Sequence, residues 1–190
     1  MNRLAAVLTA VALLAAPAAR AQPVSARSGP NTYLELDVGA FLPVASDLDG
    51  LDAGLAASGT FGAMFTPHVG AEASVGYYRA SGTVNLSDRS VGVVPILVNV
   101  RLVAPFKAVE LSARAGAGIH FASFHSSGVA SVSSMDTAFG LQVGGSAAFN
   151  LSPTMLVGLD VLGSFAEAKF DGVSTNLDGV TVAVKLGYRL

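Results

Sequence analysis

The end of the chain alternates strictly between large apolar residues and small or polar ones. The apolar phase is formed by Val180, Val182, Val184, Leu186, Tyr188 and Leu190. The opposite phase is formed by Thr181, Ala183, Lys185, Gly187 and Arg189. Successive side chains of a β-strand point to opposite faces, whereas the apolar residues of a helix recur every three or four positions. The pattern therefore predicts a strand with one wholly apolar face.

The same alternation recurs in seven further segments, which predicts eight strands in total. These segments are 34–42, 57–65, 69–77, 94–102, 111–121, 139–149 and 155–165. Three connections are short, and each contains a proline, as turns favour: Pro67, Pro105 and Pro153. The other four, near 43–56, 80–92, 122–136 and 167–178, are longer and rich in Ser, Gly and Asp. Alternating short and long connections are typical of an up-and-down barrel whose two ends face different compartments.

The residues of the two phases bear on whether such a barrel is soluble or spans a membrane. Only 13% of the residues are charged and 52% are hydrophobic, whereas an ordinary soluble domain has about 25% charged residues. A soluble barrel, the alternative, would turn its apolar phase inward and its polar phase to water. Here the polar phase is mainly Gly, Ser and Ala, which suit the narrow interior of an eight-stranded barrel. We therefore predict an all-β fold, an eight-stranded antiparallel up-and-down transmembrane β-barrel.

Aromatic residues lie at both ends of the predicted strands. The group near the short turns is Phe65, Phe106, Phe149 and Tyr188. The group near the long connections is Tyr77, Phe121, Phe139 and Phe165. Two aromatic belts around an aliphatic band are a feature of bilayer-spanning barrels. The alternative, aromatic side chains that fill a soluble core, does not require them at the strand ends.

The start of the chain predicts export. Residues 1–21 combine Arg3, an apolar run over 4–16 and a small-x-small pattern at 19–21, which is typical of a cleaved secretory signal peptide. Residues 22–31 form a polar lead-in with two prolines, which we interpret as a flexible periplasmic segment, and 32–190 form the barrel. The absence of Cys excludes disulfides, and 11 basic against 13 acidic residues without a basic run argue against a nucleic-acid partner.

Several short motifs carry a family resemblance. They are Gly39-Ala40-Phe41-Leu42-Pro43, Val75-Gly76-Tyr77-Tyr78-Arg79, Pro95-Ile96-Leu97-Val98-Asn99-Val100-Arg101, Gly116-Ala117-Gly118 and the alternating C-terminal strand. With them, the chain resembles the small eight-stranded outer-membrane β-barrels of the OmpA, OmpW and OmpX type in Gram-negative bacteria. The resemblance implies that Val182, Val184, Leu186, Tyr188 and Leu190 form the strand recognised by the barrel-assembly machinery. Members usually end in Phe, and this chain departs from that pattern by ending in Leu190.

Charged residues fall on the phase that we predict to face the lumen. They are Glu35, Asp37, Glu72, Arg101, Glu110, Arg114, Asp160, Lys185 and Arg189. Charges inside a narrow barrel must pair or be solvated, so we predict an ion-pair network in which carboxylates such as Glu72 and Glu110 hold Arg101 and Arg114. Such a network predicts a side-chain-filled lumen. A gated, narrow ion path is the alternative.

Two further features are candidate chemical sites. The lipid A deacylases of the outer membrane resemble this barrel and use His-x-Ser with a Glu; His125-Ser126-Ser127 supplies the first part, but no Glu lies between Glu110 and Glu167. We interpret His68 and His120 as structural.

Asp47, Asp49 and Asp52 form an acidic loop without EF-hand spacing. A solvated loop is our interpretation, and weak divalent-cation binding is the alternative.

These observations lead to one expectation for function. We predict a monomeric protein of the Gram-negative outer membrane that has no enzymatic activity, cofactor or metal. Its role is structural, or a minor one in transport or adhesion. Its partners are outer-membrane lipid, lipopolysaccharide and, during biogenesis, the assembly machinery. The OmpW-like alternative passes small hydrophobic compounds through a lateral opening and requires an apolar upper lumen.

Overall fold

The computed structural model describes residues 31–84, 87–106, 108–127, 132–170 and 172–190. The strands are β1 (Asn31–Pro43), β2 (Gly54–Met64), β3 (Val69–Val84), β4 (Ser87–Pro105), β5 (Val109–Ser127), β6 (Val132–Asn150), β7 (Met155–Phe170), β8 (Val173–Asn176) and β9 (Gly179–Arg189), with a 3-10 turn at Ser46–Leu48. The predicted signal peptide, 1–21, and most of the predicted lead-in, 22–31, lie outside the described residues. Within the described ranges, no helix is long and apolar enough to cross a membrane.

Each long strand pairs antiparallel with its neighbour, and the sheet closes on itself. β1 to β7 pair in sequence order, β9 pairs with both β7 and β1, and β8 pairs only with the far end of β7. The register at the closing seam is Leu36↔Leu186. Eight strands therefore form the barrel, which confirms the predicted fold class and topology.

The alternation determines which side chains face outward. Large apolar side chains such as Val98, Leu36 and Leu159 are exposed on the outer wall, at 67%, 61% and 59%. Their neighbours along the strands, such as Asn99 and Glu35, are buried at 1% and 2%. The orientation is the reverse of that in a soluble barrel, and the apolar wall requires a lipid solvent.

Small residues on the inward phase leave room for the large ones. A Cβ atom at Gly116 would collide with the side chain of Asn99, and one at Gly140 would touch the ring of His120. An interior of eight strands is only wide enough for side chains to fill. The inward glycines are therefore required by packing across neighbouring strands.

Three of the long connections differ from the prediction. The β3–β4 and β5–β6 ladders continue to Val84↔Ser87 and Ser126↔Val132, and β7 turns back into β8. Most of the segments 80–92 and 122–136 is therefore strand rather than loop. The strand signal disappears there because the outward side chains change from apolar to polar beyond the aromatic residues, so the hydrophobic period is lost although the strand continues.

The end of the barrel with the extended hairpins is closed by an apolar layer. Its larger members are Phe41, Leu48, Tyr78, Val93, Phe170 and Leu177, and all are buried. The rings of Phe41 and Tyr78 stack with centroids 4.2 Å apart. Leu48 belongs to the 3-10 turn in the β1–β2 connection, which hydrogen bonds from Val44 and Ala45 to the Asp178 carbonyl hold over the barrel. This connection therefore covers the lumen.

Candidate functional site

The nine lumen charges come from six strands. Glu35 and Asp37 lie on β1, Glu72 on β3, Arg101 on β4, Glu110 and Arg114 on β5, Asp160 on β7, and Lys185 and Arg189 on β9. Seven of them are at most 5% exposed. The side chains of Glu110 and Arg189, next to the short-turn end, are 13% and 28% exposed. All nine therefore occupy the inward phase, and the water-accessible ones lie at the rim.

Arg101 is the centre of the network. Its Nη1 donates to Glu35 Oε1 at 2.6 Å and to Glu72 Oε1 at 2.9 Å, and its Nη2 donates to Glu110 Oε1 at 3.0 Å. The Tyr33 hydroxyl also donates to Glu72 Oε1, at 2.7 Å, and the Tyr33 ring lies 4.9 Å from the guanidinium carbon. One guanidinium thus joins carboxylates from three strands across the lumen.

The remaining cations extend the network in both directions. Arg189 donates to Glu110 Oε2 at 2.7 Å, near the rim. Lys185 Nζ lies 2.9 Å from Glu35 Oε2 and 3.2 Å from Asp160 Oδ2. Arg114 contacts Asp160 and lies 3.7 Å from Glu72 Oε2 and 3.9 Å from Asp37 Oδ2. Each of the nine charges is therefore connected to all of the others through shared partners.

A small cavity lies between this network and the apolar layer. Its volume is about 40 Å³, and Asp37, Thr60, Tyr78 and Arg114 are among the lining residues. One water occupies about 10–15 Å³ on this measure, so the cavity accommodates a few water molecules. Along its length the lumen thus consists of a charged layer, a small cavity and an apolar layer.

The predicted belt residues form two rows: Phe65, Phe106, Phe149 and Tyr188 lie next to the short turns, whereas Tyr77, Phe121, Phe139 and Phe165 lie within strands that continue beyond them. Phe65, Tyr77, Phe121, Phe139, Phe149, Phe165 and Tyr188 are exposed on the outer wall, and Phe106 is half-buried in the turn after β4. Phe139 and Phe149 are ten positions apart on β6. At about 3.3 Å per residue and a strand tilt of about 40°, this separation is about 25 Å along the barrel axis, the height of an apolar bilayer band.

The candidate chemical residues lie apart from one another. His125 and Ser127 lie at the far end of β5, whereas Glu110 is held in the network at the opposite end and Glu167 lies on β7. His68 occupies a turn, where its Nδ1 lies 3.0 Å from the Val103 carbonyl oxygen. His120 is buried on the inward phase of β5.

The acidic loop is engaged in local contacts. The Asp47 carboxylate accepts hydrogen bonds from the Asn176 backbone and side chain, at 2.8 and 3.1 Å, and the Asp52 amide donates to the Ser81 carbonyl. In the part of the chain that the structure describes, no group of three or more His, Cys, Asp or Glu side chains could hold a metal ion.

Sequence reasoning missed two sets of interior residues. Tyr33 belongs to the charged network, and Phe41, Tyr78 and Leu177 belong to the apolar layer. Tyr33 and Phe41 have the same parity on β1 as Glu35 and Asp37, so parity alone indicates that they face inward. Leu177 lies in a connection, where there is no strand alternation to indicate which way its side chain faces.

A closed antiparallel barrel with an apolar outer band and a charged interior is a transmembrane β-barrel. The sequence profile of the family described as outer membrane protein beta-barrel domain matches residues 6–190. The chain belongs to this family.

Several solved structures have the same fold. Neisserial surface protein A has a TM-score of 0.61 and 16% identity, over 86% of this chain and 100% of that one. A major outer membrane protein of Thermus thermophilus has a TM-score of 0.60 and 12% identity, over 85% and 100%. The attachment invasion locus protein Ail of Yersinia pestis has a TM-score of 0.54 and 19% identity, over 85% and 99%. No curated protein has significant sequence similarity to this chain. The family supports a location in the outer membrane.

Proposed function

We propose that the protein is a closed, non-conducting barrel of the Gram-negative outer membrane with a structural or adhesive role at its extracellular end. The observation that carries the proposal is the filled lumen. The charged network occupies one half, the apolar layer occupies the other, and the cavity between them is only about 40 Å³. A hydrated path for ions requires a continuous water column, which this packing leaves no room for.

Conductance of the purified protein in a planar bilayer tests the closed lumen. We expect wild-type protein to give no steady current. An Arg114→Ala variant removes a buried cation and its volume, and we expect it to leak. Arg79→Ala, on the exposed part of β3, is the matched control and should remain silent. Steady conductance by wild-type protein would contradict the proposal and favour the narrow ion channel.

The extracellular end supports the structural or adhesive part of the proposal. β3, β4, β5 and β6 continue past the outward aromatic residues and present polar side chains such as Arg79, Ser90 and His125. The Yersinia neighbour is an attachment protein whose structure was determined with the heparin analogue sucrose octasulfate. We therefore propose a binding role for this end that involves no catalysis. Adhesion of cells that express the protein to heparin-coated and uncoated surfaces tests it, and equal adhesion would contradict an anionic-glycan partner.

A second candidate is passage of small hydrophobic compounds through the wall. Two observations favour it: the upper lumen is apolar, and the β6–β7 ladder ends at Gly140↔Ala166 although β6 continues to Val132. Above that pair the two strands are joined by a hydrogen bond from the Lys169 amide to the Asp136 carboxylate, at 2.5 Å. Uptake of N-phenyl-1-naphthylamine by cells that express the protein separates the candidates. The closed barrel predicts uptake equal to that of control cells, and faster uptake favours passage through the wall.

A further inference from the structure

The buried charges of the lumen do not sum to zero. In the part of the chain that the structure describes, the charged side chains that are at most 5% exposed are four carboxylates and three cations: Glu35, Asp37, Glu72 and Asp160, and Arg101, Arg114 and Lys185. The rim pair of Glu110 and Arg189 adds one charge of each sign. One negative charge is therefore in excess. A buried charge without a counter-charge is strongly disfavoured, so the lumen requires one further positive charge.

The buried histidine does not supply that charge. His120 is fully buried on the inward phase of β5. Neither of its ring nitrogens has a hydrogen-bond partner among the described residues. A charged imidazole in this position would have two buried N–H groups without an acceptor, which is disfavoured. The missing positive charge must therefore come from outside the chain.

The cavity between the charged network and the apolar layer offers a place for it. Asp37, Thr60 and Tyr78 line this cavity and are at most 5% exposed. Asp37 Oδ1, Thr60 Oγ1 and the Tyr78 hydroxyl have no hydrogen-bond partner among the described residues. The other oxygen of Asp37, Oδ2, accepts from the Ser58 hydroxyl at 3.1 Å and lies 3.9 Å from Arg114 Nη2. Asp37 therefore has one oxygen engaged and one available to an occupant of the cavity.

The chemistry of these atoms indicates the kind of occupant. Carboxylate and hydroxyl oxygens are ligands of hard cations. An anion beside Arg114, which also lines the cavity, would double the excess negative charge. A divalent cation would leave the lumen with one positive charge in excess, whereas a monovalent cation balances it. A volume of about 40 Å³ accommodates such an ion together with one or two water molecules.

We propose that this cavity holds one monovalent cation such as Na⁺, bound by Asp37 Oδ1, the hydroxyls of Thr60 and Tyr78, and water. The ion neutralises the lumen and joins β1, β2 and β3 from the inside. The proposal differs from the sequence-based expectation of no metal, because the three ligands lie on separate strands and no motif connects them. It does not require a conducting lumen, since the ion can be taken up while the barrel folds.

Urea unfolding of the purified barrel in phosphatidylcholine vesicles, followed by heat-modifiable migration, tests the site. The measurement is made in NaCl and in choline chloride at equal concentrations, because choline is too large for the cavity and controls for ionic strength. A ligand that binds only the folded state stabilises that state as its concentration rises. We expect the folding equilibrium constant of wild-type protein to rise about threefold to tenfold between about 30 and about 300 mM NaCl, and to change much less in choline chloride.

Three variants locate the response. Asp37→Asn removes the excess negative charge and should abolish the response to Na⁺. Thr60→Val keeps the shape of the side chain without the hydroxyl, so it should weaken the response. Ser112→Ala is the matched control, because the inward Ser112 hydroxyl is hydrogen-bonded to the Ser146 hydroxyl at 2.7 Å and does not line the cavity. It should respond to Na⁺ like wild type.

Three outcomes would overturn the proposal. The first is equal stability of wild-type protein in NaCl and in choline chloride, because the cavity would then hold water alone and a proton would neutralise the lumen. The second is a wild-type response to Na⁺ in Asp37→Asn. The third is loss of the response in Ser112→Ala, because the response would then not belong to the cavity. If Asp37→Asn fails to fold, an unchanged response in both Thr60→Val and Tyr78→Phe would contradict the site.

Discussion

Removal of the Arg101 side chain isolates the contribution of the charged network. Arg101→Ala takes the shared donor from Glu35, Glu72 and Glu110 together. Breaking a buried ion pair from one side costs about 3–5 kcal/mol, because the partner charge stays buried. Here Glu35 keeps Lys185 at 2.9 Å, and Glu72 keeps the Tyr33 hydroxyl at 2.7 Å. We therefore expect the free energy of unfolding to fall by about 3 kcal/mol, the lower part of that range.

Denaturant unfolding of the refolded barrel in lipid vesicles, followed by loss of heat-modifiable migration, measures this change. Arg79→Ala is the control, because Arg79 is exposed and belongs to no ion pair among the described residues; we expect a change within about 0.5 kcal/mol. Arg101→Lys should recover part of the loss, since an ammonium keeps the charge but not the planar fork. If Arg101→Ala unfolds at the same denaturant concentration as Arg79→Ala, the network does not stabilise the barrel.

Three other measurements examine the wall, the predicted signal peptide and the connection between β8 and β9. Val143→Arg places a charge on the outer wall between Phe139 and Phe149 and should lower the free energy of unfolding in lipid by about 2–4 kcal/mol. Gln142→Ser, on the inward phase, should lower it by less. Equal stability of the two variants would mean that inside and outside are reversed. N-terminal sequencing of protein from the outer-membrane fraction should begin at Gln22, and mature protein found only in the soluble periplasm would contradict export to the membrane. Burial raises the pKa of the Asp178 carboxyl, so the stabilising contribution of this carboxyl is complete below the ordinary carboxyl pKa and is lost as the pH rises through the raised value. Asp178→Asn should remove this pH dependence from the free energy of unfolding. A variant with the same pH dependence as wild type would contradict the raised pKa of Asp178.

The membrane-spanning part of the fold could be predicted because the bilayer requires an apolar residue at every second position of each strand. Lipid requires that Val94, Ile96 and Val98 be apolar, and the narrow interior limits their neighbours, so the period of two persists through each strand. Beyond Tyr77 and Phe121 the outer face meets water and headgroups instead. Ser81, Ser90 and His125 take the outward positions there, so large apolar residues no longer recur on that face. For this reason the sequence predicts loops where the structure has hairpin extensions.

The membership of the candidate site was predictable, and so were the contacts of Arg101 with Glu72 and Glu110. The contact of Arg101 with Glu35 was not. Parity along a strand determines that Glu35 and Arg101 both face the lumen. Whether they touch depends on the tilt and stagger of the whole barrel, because β2 and β3 lie between β1 and β4 in the sheet. Their contact therefore crosses the interior, and no local pattern encodes it. The apolar layer was missed for a related reason, since Leu48 and Leu177 reach it from connections.

The charged network also explains how one register is selected over its neighbours. A slip of one residue would move every inward side chain of a strand to the lipid face. In a barrel whose interior held only Ala, Gly and Ser, such a slip would be opposed only by the large outward side chains, for which the narrow interior has no room. Here it would place Arg101, Arg114 or Lys185 in the hydrocarbon, at about 2–4 kcal/mol for each cation near the midplane. It would also leave carboxylates such as Glu35 and Asp160 buried without their cations, at a cost similar to that of the Arg101→Ala change. Buried ion pairs often add little net stability compared with apolar packing. The network therefore acts mainly by raising the free energy of barrels with a shifted strand register. The Val143→Arg measurement gives the free-energy cost of placing a cation in the hydrocarbon on this barrel.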